Sequence, residues 1–106
     1  MKILAFPFDA RSFRYELIER QGLVCLVKQT RIGHGHWCYE LVKLRVYPDK
    51  FAFGKLIPAH EAYPGDEDWG SYGFTYRADE LERARLRMAS MACALGTEPK
   101  TGTFDR

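Results

Sequence analysis

Residues 36–47 constrain this chain most: they read His-Trp-Cys-Tyr-Glu-Leu-Val-Lys-Leu-Arg-Val-Tyr. The even positions Cys38, Val42, Leu44 and Val46 make one mostly apolar face, interrupted by Glu40. The odd positions begin aromatic and apolar at Trp37, Tyr39 and Leu41 and end basic at Lys43 and Arg45. Such alternation predicts a strand with one dry face and one face half in water. A strand of this kind needs a sheet around it and a cover over the dry face, and the rest of the chain offers both.

Residues 12–19 alternate in the same way, with Phe13, Tyr15 and Leu17 against Arg14 and Glu16. Gln21-Gly22 then marks a turn. Residues 23–29 contain the run Leu23, Val24, Cys25, Leu26 and Val27, apolar on both faces, which places this strand at the centre of the sheet. A short first strand is expected over residues 2–6. Pro48-Asp49-Lys50 forms the turn after the long strand, because proline fixes φ and removes a donor. Residues 51–57 are expected to return beside it, with Gly54 as a bulge or close approach. Residues 58–73 are irregular, and residues 74–76 suggest a last short strand.

One helix follows. Leu81, Ala84, Met88, Met91, Ala92 and Leu95 recur at three- and four-residue spacing and form one apolar stripe. Asp79 and Glu82 have the spacing of a capping box, and Gly96 suits the position after the last turn. Short turns between strands favour antiparallel pairing. The expected fold is therefore α+β: a four- to five-stranded antiparallel meander with one C-terminal helix on one face. The expected organisation is a single domain over residues 1–96 and a flexible polar tail over 97–106.

Composition excludes some functions. A net charge of +2 neither demands a polyanionic partner nor mimics one. Cys25, Cys38 and Cys93 are odd in number and lack CxxC spacing, so reduced thiols in a cytoplasmic protein are expected. The apolar run at the N-terminus is cut off by Pro7 and Asp9, too early for a secretion signal. No segment approaches the roughly 20 apolar residues of a membrane span.

Several residue groups invite chemical readings. His34, His36 and Cys38 alternate as metal ligands on a strand would, but match no standard zinc spacing; two loop histidines and a core cysteine are the simpler reading. Cys38 with His36 or His60 as base would need an electropositive, partly exposed thiol, and Cys38 lies on an apolar face. Neither a catalytic constellation nor a cofactor or metal is expected. Trp37, Tyr39, Lys43, Arg45 and Lys55 interleave aromatic and basic groups and give a nucleic-acid-binding alternative on one sheet face. The aromatics Tyr63, Trp69 and Tyr72, with the acids Asp66, Glu67 and Asp68, give a candidate partner-binding loop. Glu61 adds to that acidic character. Arg83, Arg85 and Arg87 fall on the wet side of the helix.

The segment from Trp37 to Arg45, the pair Tyr63-Pro64, then Trp69-Gly70 and Tyr72-Gly73-Phe74-Thr75-Tyr76 before a helix resemble a group of small proteins encoded by phages, prophages and plasmids. The resemblance spans residues 36–92. It implies a mobile-element accessory protein that binds a host protein or complex, as anti-CRISPR inhibitors of similar size do. It assigns no activity to particular residues. The function expected from the sequence is thus protein–protein binding, with nucleic-acid binding as the alternative and a metal or thiol enzyme at His36 and Cys38 third.

Overall fold

Residues apolar on both sides must be covered on both sides, and this is where the chain puts them. In the computed structural model, which describes residues 1–65 and 69–94, strand β3 (Val24–Arg31) lies in the middle of a five-stranded antiparallel sheet. The order is β1 (Phe8–Ala10), β2 (Phe13–Gln21), β3, β4 (Trp37–Lys43) and β9 (Gly73–Tyr76). Val24, Cys25, Leu26 and Val27 are all completely buried.

The two faces have different covers. Val24, Leu26, Leu41 and Tyr76 face helix α1 (Leu81–Ala94) and pack with its Ala84 and Met88. Leu81 and Met91 extend that contact along the expected stripe, while Arg83, Arg85 and Arg87 are exposed. The opposite face presents Tyr15, Cys25, Val27, Val42 and Leu44. It is covered by side chains from irregular segments, among them Leu4, Phe6, Tyr63 and Trp69. The fold is the expected α+β arrangement, with the helix on one face of an antiparallel sheet.

Local details differ from the sequence expectation. The first strand is Phe8–Ala10, not residues 2–6. Lys2 instead makes a parallel bridge with His60, giving its N–H to Ala59 O at 2.9 Å and accepting from Glu61 N at 2.9 Å. At the helix start, Glu80 rather than Glu82 reaches back, its Oε1 accepting from Arg77 N at 2.9 Å. That bond holds the Glu80 carboxyl below its usual range. Residue 95 and those after it lie outside the described residues, and with them Leu95, Gly96 and the expected tail.

The largest departure concerns residues 45–62. The long strand breaks at Leu44, and the returning segment does not pair with β4, whose outer neighbour is β9. β5 (Arg45–Tyr47) pairs with β8 (His60–Ala62), and β6 (Lys50–Ala52) pairs with β7 (Lys55–Ile57). The two pairs share one register: Tyr47 lies opposite His60 and Lys50 opposite Ile57. They are one ribbon, interrupted where Pro48 and Pro58 cannot donate to a ladder. Asp49 repairs part of the gap by accepting from Ala59 N at 2.6 Å. Gly54 is therefore a turn residue, not a bulge. At about 3.3 Å per residue, residues 45–52 reach about 25 Å from root to tip.

Candidate functional site

Two features remain once the core is accounted for: the ribbon arm, and a cleft on the sheet face away from the helix.

The arm carries apolar residues that the fold does not bury. Phe51 and Leu56 are directly opposite each other and so share a face; they are 73% and 63% exposed. Lys50, Ala52, Lys55 and Ile57 occupy the other face. The tip is the two-residue turn Phe53-Gly54, with φ of 54° and 72°. Positive φ at both central positions suits the twist of a hairpin and normally selects Asn or Gly. A bulky residue at the first position is strained, and the Phe53 side chain is 98% exposed. Among the described residues it meets no compensating contact.

The arm's root is firmly held. Glu61 on β8 is 6% exposed, and Arg20 on β2 grips it in a fork, Nη1 to Oε1 at 3.0 Å and Nη2 to Oε2 at 2.5 Å. Leu4 N adds a third donor at 3.0 Å. The Arg20 hydrogen bonds hold the Glu61 carboxyl below its ordinary pKa and raise that of Arg20. Tyr47 stacks on His60 at 5.4 Å across the ribbon. Tyr72 lies between Lys43 and Arg45 near the root, with the two cations 5.0 and 4.8 Å from its ring centroid.

The cleft, of about 410 Å³, is built on the strand register. Phe8 opposes Tyr15, Tyr15 opposes Gln29 and Gln29 opposes Cys38, so four strands contribute one row. Gln29 Nε2 donates to Tyr15 Oη at 3.1 Å, and Cys38 Sγ donates to Gln29 Oε1 at 3.3 Å. In the next row Glu40, 6% exposed, lies between Val27 and Thr75. Tyr63 closes over it and donates its hydroxyl to Glu40 Oε1 at 2.6 Å. Burial, then the neighbouring Glu40, pushes the Tyr63 phenol far above its usual pKa. Trp69 forms a wall, its Nε1 donating to Thr75 Oγ1 at 2.9 Å. Gly73 permits this placement, since a Cβ there would come within 2.6 Å of the indole ring. Ala10, Arg11, Phe13, Pro64 and Gly65 complete the lining.

The residues singled out in the sequence are distributed as follows. Tyr63 and Trp69 line the cleft, while Tyr72 belongs to the arm's root; Asp66, Glu67 and Asp68 lie outside the described residues. Trp37 and Tyr39 meet edge to face at 5.2 Å, with Lys28 4.6 Å above the Trp37 ring. Tyr39 packs against the helix-side core, and Lys43 and Arg45 gather at Tyr72. Lys55 is near the tip of the arm, not on a strand beside Trp37. His34 lies in a turn and His36 just before β4, both exposed. Cys38 is half-buried rather than sealed in the core, and burial raises its thiol pKa, as it does more strongly for Cys25, pushed up to about 11.

Residue pattern alone does not reveal the arm or the Glu40–Gln29 floor. Glu40 did give a signal: a carboxylate breaking an otherwise apolar strand face has to be organised by partners. Among the described residues, no helix is long and apolar enough to cross a membrane. Compared with protein-family models, curated proteins and solved structures, the chain matches none, so its own geometry carries the functional argument.

Proposed function

We propose that this protein works by binding another protein through the ribbon arm of residues 45–62. The observation that carries this reading is Phe53: an aromatic residue almost wholly exposed, at a backbone conformation unfavourable for it, at the tip of an arm whose outer apolar residues face water. Each of these features costs the isolated fold stability. Strain of this kind persists where the surrounding structure imposes it, and it clusters at functional positions. Aromatic residues set among aliphatic ones are also the usual anchors of protein interfaces.

The root fits the same role. Arg20, Leu4 and Tyr72 fix the arm's departure from the sheet, so less freedom is lost when the tip is captured. Phe51, Phe53 and Leu56 would enter an apolar groove on the partner, and Lys50 and Lys55 would face acidic groups at its rim. The resemblance to mobile-element proteins makes a host protein or complex, a defence complex among them, the first partner to seek. Site-specific photocrosslinking tests the reading. A photoreactive residue at position 56 should give a discrete adduct in host cells. One at position 86, which is more exposed and lies on the helix, should not. Absence of an adduct at 56, or the same adducts at both positions, would count against the arm.

A second reading rests on the arm's two lysines. A basic ribbon with an aromatic tip is also a shape that can enter a nucleic-acid groove and wedge a base step. Tight oligonucleotide binding that weakens steeply with salt would favour it.

A further inference from the structure

A groove of about 410 Å³ lies at the root of the arm, where the N-terminal segment meets the ribbon. Ile3, Leu4, Ala5, Ile57 and Pro58 give it apolar walls, and Lys2 and His60 add polar edges. Ile3 is more than half exposed. The arm therefore carries an uncovered aromatic knob, Phe53, at one end and an apolar groove at the other.

Register relates the two. Phe51 and Leu56 are directly opposite each other. Phe53 stands two residues beyond Phe51 toward the tip, and Pro58 two residues beyond Leu56 toward the root. Tip and groove are thus equally far from the Phe51–Leu56 row, each about 7 Å away at about 3.3 Å per residue. Equal spacing about a centre is what a self-complementary, two-fold contact requires. We propose that two copies of this protein pair their arms antiparallel about a two-fold axis at the Phe51–Leu56 row, each Phe53 entering the groove of the other copy. The proposal rests on the reading of the arm as a contact surface and names a second copy as an occupant.

Charge and area both permit the pairing. Lys50 and Lys55 occupy the opposite face of the ribbon and stay in water, so like charges are not brought together. Taking about 200 Å² for a fully exposed side chain of this size, Phe51, Phe53 and Leu56 leave roughly 500 Å² per copy in water. Two copies bring about 1,000 Å² before Ile3 and Ile57 are added, which reaches the roughly 1,000 Å² that a specific interface needs. Interfaces at that lower bound are transient. Dilute protein is then monomeric with its arm in water, and a host partner competes with the second copy for the same residues.

Sedimentation of the intact protein between about 10 µM and about 1 mM should show one chain giving way to two. Growth should stop there, because a two-fold contact closes. Leu56 meets its own counterpart at the axis, so Leu56→Lys and Leu56→Glu should each weaken dimerisation at least tenfold by setting like charges against each other. An equimolar mixture of the two should recover a heterodimer, and Leu86→Lys on the helix should dimerise like the unaltered protein. Leu56 is exposed in the monomer, and circular dichroism checks that both variants fold. A chain that stays monomeric at about 1 mM, growth beyond two copies, or a mixture no more associated than its components would overturn the proposal. A monomeric protein whose position 56 crosslinks to a host protein excludes the second copy and leaves the arm reading standing. A heterodimer from the mixture, with position 56 crosslinking only to this chain in host cells, supports the second copy and removes the host partner.

Discussion

The sheet and the arm are made of similar strands and treat their apolar residues in opposite ways. In β3 and β4 the alternating side chains find the helix on one face and the Phe6, Tyr63 and Trp69 cover on the other. In β6 and β7 the same kind of residue, Phe51 opposite Leu56, finds water. The difference lies in what covers each strand, not in the strands themselves. Burial of apolar area stabilises the body of the protein, whereas the arm keeps apolar surface in water.

The largest expected contrast is in stability. Met88 is fully buried against Val24 and Leu41, so Met88→Ala should cost about 2–5 kcal/mol in chemical denaturation. Phe51→Ser and Leu56→Ser, which remove residues of comparable size, should stay within about 0.5 kcal/mol. A Phe51→Ser protein destabilised as much as Met88→Ala would mean that the arm folds back onto the body.

Glu61 joins the two regions, and its removal should come next in size. Glu61→Gln leaves Arg20 without its ion-pair partner, at a cost of roughly 2–4 kcal/mol, because Arg20 keeps a quarter of its side chain in water. Since the folded-state pKa of Glu61 is lowered, its contribution is present above the ordinary value of 4.5 and is lost as pH falls through the lower folded value. The stability difference between wild type and Glu61→Gln should therefore be constant above pH 4.5 and shrink below it. A difference that grew on acidification would contradict the pairing.

Gly54 probes the tip. At φ 72° it occupies a conformation that costs an L-residue about 1–2 kcal/mol, so Gly54→Ala should loosen the arm by that amount, read as faster amide exchange at Phe51 and Leu56 with the sheet unaffected. Exchange that accelerated equally in β3 would show that arm and sheet open together.

This contrast also explains what could be read from the chain beforehand. Strands 2, 3 and 4, the helix stripe through Ala84 and Met88, and the α+β class follow from periodicity, since burial on one face imposes it. Periodicity does not say whether anything lies over a strand, so residues 51–57 read like a core strand although they form half of an arm. The register shared across Pro48 and Pro58 depends on pairing between distant residues, which local pattern does not encode. Tyr63 and Trp69 were recognisable as aromatics in an irregular segment, but an irregular segment has no period to show which side chains turn inward. Glu40 was visible as an interruption, yet its partners Tyr63 and Thr75 come from loops and strands far along the chain.

Phe53→Gly tests the central claim most directly, because it separates the interest of the fold from that of the partner. Glycine relieves the positive φ at that position, so amide exchange in the arm should slow two- to fivefold, about 0.5–1 kcal/mol of added arm stability. With a photoreactive residue at position 55, the same substitution should lower the yield of partner adduct in host cells at least tenfold. An unchanged adduct yield from an arm that Phe53→Gly has stabilised would show that Phe53 is not the anchor and would contradict the account.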